Sequence, residues 1–175
     1  LSMMLAVIRN IVRFDNDIHR GNWHYSSAGP IPRAQDLTVG ILGLGRIGSE
    51  VAGRAHAFGL EVSAFDPYVA EDRFLALRVR RAETLDALLD ASDILTVHTP
   101  LTEETTGLIG ARELARLPAG AIVANLARGG IVDEAETAGA PVADDPRHPP
   151  HQIEAARPRR RRRGAGGGAA ERGDG

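Results

Sequence analysis

Gly43-Leu44-Gly45-Arg46-Ile47-Gly48 is the pattern in this chain with the most chemical content. A GxGxxG run means little alone, but here it follows an apolar run, Val39 to Leu42, and opens a helix-patterned segment from Ile47. In that setting Gly43 allows a tight turn, Gly45 lets the backbone approach a pyrophosphate, and Gly48 lets the helix pack close to the sheet. The helix N-terminus then offers free N–H groups and a partial positive charge to phosphate. Asp66 stands 18 residues beyond Gly48, where a carboxylate accepts hydrogen bonds from a ribose diol. That carboxylate would repel a 2′-phosphate, and Pro67 and Tyr68 supply no arginine to accept one. The residues therefore favour NAD over NADP. A glycine-rich turn that binds nothing, and a site for S-adenosylmethionine or FAD, remain the alternatives.

These residues need elements to hold them. Leu1 to His19 has helical apolar spacing, and Gly21 to Asp36, with Pro30 and Pro32, reads as a loop. Leu37–Leu42 is a short apolar run that reads as a buried strand, and Leu60–Phe65, ended by Asp66-Pro67, Ile94–Val97 and Ala121–Ala124 read as three more. Between them Ile47–Phe58, Thr84–Leu89 and Ala111–Leu117 read as helices, with Gly59 capping the first and Pro118 stopping the last. The alternation predicts an α/β fold: a doubly wound parallel sheet of Rossmann type with helices on both faces.

Composition bounds the function classes. The 175 residues carry a formal net charge of −2, no cysteine, and arginine as the sole basic residue besides histidine. Disulfides and thiolate metal sites are excluded, and no apolar run approaches the roughly 20 residues that span a bilayer. Asp15, Asp17, His19 and His24 fit no ligand spacing, so no metal is expected. The apolar opening, broken by Arg9, has no cleavage pattern of a signal peptide, and a cytoplasmic chain is expected.

The vocabulary changes after residue 136. Residues 137–175 hold seven glycines, five prolines, the run Arg159–Arg163 and no aromatic residue. Such a stretch cannot bury enough apolar surface to offset its ordering and reads as disordered. Its abrupt start in mid-helix suggests translation out of frame. Five arginines would attract phosphate, but no aromatic is interleaved for base stacking, so nucleic acid is not the favoured partner. The expected division is 1–36 as a lead-in helix and loop, 37–136 as a truncated dinucleotide domain, and 137–175 as tail.

Val39 to Gly48 resembles the nucleotide-binding core of the NAD-dependent D-2-hydroxyacid dehydrogenases, a family that includes phosphoglycerate dehydrogenase and the C-terminal-binding-protein corepressors. Phe65-Asp66-Pro67-Tyr68 resembles its second strand end. His98 to Thr102 with Thr105 to Ile109 resembles the loop beneath the cofactor, and Asn125 to Glu134 resembles its arginine segment. The resemblance covers roughly residues 1–136. It implies hydride transfer between NAD and a 2-hydroxy or 2-keto acid, with Arg128 binding the substrate carboxylate. It also implies Arg46 and Ile47 at the pyrophosphate, Asp66 at the adenosine ribose, and Thr99, Pro100, Leu126 and Ala127 along the cofactor groove. Homodimer contacts through helices of this domain are implied as well.

The family's catalytic glutamate and histidine have no counterpart here. His98 ends a strand and matches a residue that is not the family's proton donor, while His148 and His151 flank Pro149-Pro150 in the tail. The chain reads as a fragment, inactive as a dehydrogenase by itself. The alternative is an NAD-sensing, corepressor-like binding module that needs no turnover.

Overall fold

The computed structural model describes residues 1–24, 31–133 and 155–156. Its elements are α1 (Ser2–Ile8), α2 (Ile11–His19), β1 (Thr38–Leu42), α3 (Arg46–Ala57), β2 (Glu61–Phe65), α4 (Glu71–Leu77), β3 (Arg80–Arg81), α5 (Leu85–Asp90), β4 (Ile94–Val97), α6 (Ala111–Arg116), β5 (Ile122–Asn125) and β6 (Ala155–Ala156). The sheet order is β3-β2-β1-β4-β5-β6. The first five strands run parallel and β6 pairs antiparallel to β5 at Val123 and Ala124. Ala155–Ala156 lies in the stretch read as disordered; the rest of that stretch, from 137 on, falls outside the described residues, as do residues 25–30.

Period-two alternation along each strand divides the core between two faces. Ile41, Ile94, Ile122 and Ala124 face one layer with Met4 and Ile8 of α1, Ala52 and Ala55 of α3, and Phe74 of α4. Leu42, Leu95, Val97 and Val123 face the other, against Leu88 and Leu89 of α5 and Leu117 just past α6. Both faces are covered, which is why these strands read as continuous apolar runs rather than alternating ones.

Three departures from the sequence reading have local causes. The first helix is broken: Asn10 takes a left-handed conformation at φ 52° and separates α1 from α2. Asparagine tolerates that region better than most residues. Only α1 joins the core, while Ile11, Val12 and Ile18 of α2 are exposed. Second, α4 and β3 carry no clear sequence signal. α4 is seven residues long, and β3 is the charged pair Arg80–Arg81. Third, the helix and strand ends shift by at most one residue. α3 stops in a Schellman turn: the Gly59 N–H, at φ 77°, donates to the His56 carbonyl at 2.9 Å, and the Leu60 N–H donates to Ala55 at 3.1 Å.

The register sets up the site. Leu42 pairs with Phe65 on one side and Val97 on the other, and Val97 pairs with Asn125. The residues that follow, Gly43, Asp66, His98 and Leu126, therefore leave the sheet side by side at one edge.

Candidate functional site at the strand ends

Gly43 turns the chain out of β1 at φ 94°, a region costly for other residues. Its N–H donates to the Phe65 carbonyl at 3.0 Å. A Cβ there would also lie 3.0 Å from the His98 backbone and from Thr99 Cγ2. At Gly48 a Cβ would stand 2.1 Å from the Gly43 carbonyl oxygen, so the first turn of α3 rests directly on the glycine turn. Gly45 is different. Its backbone is extended at φ −70°, and a Cβ would meet nothing within 4 Å. Neither a positive φ nor a crowded Cβ calls for glycine at this N-cap of α3, where serine, asparagine or aspartate would cap the helix at least as well. The first helical bond of α3 runs from the Ser49 N–H to the Gly45 carbonyl, 3.0 Å, so the N–H groups of Arg46, Ile47 and Gly48 precede it at the helix mouth. Both Arg46 and Ile47 are exposed there.

Asp66 is half-buried beside this turn. Its Oδ2 accepts from the Leu44 N–H at 2.8 Å and its Oδ1 from the Tyr68 N–H at 3.0 Å. Each oxygen keeps a second lone pair for an external hydroxyl. The sequence assigns Asp66 to a ribose; the structure adds that it holds the glycine turn in place.

On the other side of β1, the His98 N–H donates to the Leu42 carbonyl at 2.8 Å. His98 Nε2 lies 2.9 Å from Thr96 Oγ1, and burial lowers the ring's pKa to about 4, with the positive chain terminus a lesser cause. The imidazole is thus neutral at pH 7. The buried Thr99 hydroxyl has no hydrogen-bond partner among the described residues. Pro100 is exposed, and its carbonyl accepts from Thr105 Oγ1 at 2.7 Å. Thr102 and Thr106 close the same turn through a 2.6 Å bond from Thr106 Oγ1 to the Thr102 carbonyl.

After β5, Asn125 does work that the sequence reading missed. Its Nδ2 donates to the Arg128 carbonyl at 2.9 Å, and its Oδ1 accepts from the Ala127 N–H at 3.1 Å. One buried side chain thereby shapes the whole turn Leu126–Arg128. The available signal was an asparagine ending an apolar strand directly before a loop. Arg128 is exposed, with Nη1 donating to the Ala127 carbonyl at 3.1 Å. This turn is tied to the neighbouring loop: the Gly107 N–H donates to Gly130 at 2.7 Å and the Ile109 N–H to Ile131 at 3.0 Å.

Exposed apolar side chains mark the same edge. Ile47, Leu101 and Leu126 all stand in solvent on the first turn of α3 or on the loops after β4 and β5. A crevice with apolar walls, backbone donors at a helix mouth and a carboxylate at one end fits a dinucleotide. A groove of about 400 Å³ lies between Leu1 and α3, lined also by Glu50, Val51 and Arg54. It shares only Arg46 and Ile47 with the crevice and lacks both the glycine turn and Asp66, so the hydrogen-bonding groups point to the crevice instead.

Residues 1–140 match the family described as D-isomer specific 2-hydroxyacid dehydrogenase, NAD binding domain. The chain belongs to this family. It is 42% identical over 135 residues to a D-3-phosphoglycerate dehydrogenase of Archaeoglobus fulgidus, and 44% identical over 140 residues to one of Mycobacterium tuberculosis. Those alignments cover 77% and 80% of this chain but only 25% and 26% of the relatives. Among solved structures, D-lactate dehydrogenase from Aquifex aeolicus, complexed with NAD and lactic acid, superposes with a TM-score of 0.72 at 31% identity. That match covers 77% of this chain and 40% of the other. The chain thus spans about a quarter of the length of these curated relatives. It carries the NAD-binding domain of the D-2-hydroxyacid dehydrogenases, and these relatives give the corepressor alternative no added support. Among the described residues no helix is long and apolar enough to cross a membrane.

Proposed function

We propose that this domain serves an oxidoreductase that moves hydride between NAD and the CH–OH carbon of a small 2-hydroxy or 2-keto acid. The observation that carries the reading is Gly45: an empty position, in ordinary extended backbone, at the mouth of a 12-residue helix. A glycine the protein does not need for itself is best explained by a ligand that does. Bound NAD supplies or accepts the hydride. Gly43 and Gly48 set the turn against which the pyrophosphate rests, with the N–H groups of Arg46, Ile47 and Gly48 facing it. Asp66 orients the adenosine ribose through its free lone pairs. Thr99, Pro100, Leu126 and Ala127 line the groove between the loops after β4 and β5. Arg128 presents an exposed guanidinium suited to a carboxylate by two parallel hydrogen bonds.

The proposed organisation is a lead-in over 1–36, a dinucleotide domain over 37–136 and a tail over 137–175. A homodimer is part of the proposal, supported by the exposed Ile11, Val12 and Ile18 on α2. The proposed compartment is the cytoplasm, where the dinucleotide is available.

Calorimetric titration of the chain with NADH and NADPH tests the reading. NADH should bind at least about tenfold more tightly than NADPH, because Asp66 would face a 2′-phosphate. Gly45→Ala should cost no more than about 1 kcal/mol of stability, the loss of a glycine N-cap, and abolish NADH binding. NADH binding unchanged by Gly45→Ala would refute the cradle.

A further inference from the structure

Tyr68 and Glu104 make a contact that the cofactor site described above does not use. Tyr68 lies two residues past Asp66 in the loop after β2, and Glu104 lies in the loop after β4. The phenol O–H donates to Glu104 Oε2 at 2.9 Å. β2 and β4 are not neighbours, because β1 runs between them. A bond joining the loops that follow them must therefore pass over the end of β1, where the turn Gly43–Gly45 begins. Both ends of this bridge are anchored at their bases. The Tyr68 N–H is held by Asp66 Oδ1, and Glu104 sits within the turn closed by Thr102 and Thr105. Their tips stand in solvent, Tyr68 with 83% of its surface exposed. The two charged groups acting on the phenol, Glu104 through hydrogen bond and charge and then Asp66 through charge, raise its pKa above the usual 10. The donor proton therefore stays in place at neutral pH.

We propose that Tyr68 and Glu104 form a clasp across the mouth of the crevice and gate passage of the adenosine end of the dinucleotide. The proposal rests on the cofactor reading given above. The bond is made in the protein without cofactor, and the proposal has it made again over the bound dinucleotide, so it must break for entry as well as for release. Removing it therefore raises both rate constants and leaves the equilibrium nearly untouched. An exposed hydrogen bond to a carboxylate corresponds to an acceleration of about three- to five-fold.

Stopped-flow measurement of NADH association and dissociation with the full chain tests this. Tyr68→Phe keeps the ring and removes the donor; Glu104→Ala removes the acceptor. Each should raise both rate constants about three- to five-fold with Kd within about twofold, and the double variant should match the singles, since all three lose one bond. Unchanged rates in both single variants would overturn the clasp, as would effects that multiply in the double variant. A second arm needs no cofactor. The chain has two tyrosines, so in a Tyr25→Phe background the phenol absorbance reports Tyr68 alone. Glu104→Gln should lower its titration midpoint; an unmoved midpoint means no clasp in solution. A shifted midpoint in a wild-type chain that fails to bind NADH would sink the cofactor reading, and the gate with it.

Discussion

Two alanine substitutions on one helix should have opposite signs. Gly48 and Gly53 both lie in α3, neither at positive φ. Replacing a helical glycine by alanine contributes about 1 kcal/mol of stability from propensity alone. At Gly53 a Cβ meets nothing within 4 Å, so Gly53→Ala should realise most of that, about 0.5–1 kcal/mol. At Gly48 the Cβ would stand 2.1 Å from the Gly43 carbonyl oxygen and 3.2 Å from Ile41 Cγ2. An ordinary contact requires a retreat of about 1 Å. The obstructing atom is backbone in the glycine turn, itself fixed by the bond from the Gly43 N–H to Phe65, and cannot swing aside as a side chain could. Overpacking of this kind costs about 3 kcal/mol, which leaves Gly48→Ala destabilised by about 2 kcal/mol after the propensity gain. The variants should therefore differ by about 3 kcal/mol, or on the order of 10 °C in melting temperature. Urea unfolding followed by circular dichroism reads the difference directly. Gly48→Ala should also weaken NADH by about tenfold or more, because the helix mouth moves away from the pyrophosphate. Equal stability of the two variants, or a stabilised Gly48→Ala, would refute the claim that α3 rests on the glycine turn.

Other tests reach different parts of the site. Asn125→Ala removes the bonds that shape the turn Leu126–Arg128 and should cost about 1–3 kcal/mol in urea unfolding, with weaker NADH binding. His98 titrates at about 4 when folded and at 6.5 in an ordinary environment, so between those values the unfolded chain binds the extra proton. Stability should be constant above pH 6.5 and fall as pH drops toward 4, with a ceiling of about 3 kcal/mol; His98→Gln should flatten that slope. Arg128→Ala changes an exposed side chain and should leave the unfolding midpoint within about 0.5 kcal/mol of wild type. The chain should show no NADH oxidation with a 2-keto acid. Among the described residues the histidine at the crevice is His98, which is neutral and engaged with Thr96; turnover by the purified chain would overturn that expectation.

What could be read in advance followed from local rules. β1, β4 and β5 are legible because burial on both faces forces largely apolar runs, and β2 through Val62, Ala64 and Phe65 ahead of Asp66-Pro67. The glycine turn and Asp66 are legible because a phosphate cradle needs fixed residue types at fixed spacing. The break at Asn10 was hidden because its neighbours keep helical apolar spacing on both sides. β3 was hidden because Arg80–Arg81 looks like surface; Arg81 in fact lies over the Phe74 ring at 5.3 Å and pairs with Glu71. The second duty of Asp66, toward the Leu44 N–H, and the clamp at Asn125 were hidden for a different reason. Both are hydrogen bonds to backbone whose position exists only once the strands have docked.

The level alignment of Leu42, Phe65, Val97 and Asn125 has a bearing on how such a domain can change. Everything on the near side of that line is ladder and core, where a substitution is felt in stability. On the far side lie short connections, most of whose exposed side chains bear no load in the sheet. Recognition can therefore be retuned one connection at a time at small cost in folding. Among the longer side chains the exceptions are Asp66 and Asn125, which belong to both sides of the line at once, and with Gly43 and Gly48 they should tolerate the least variation.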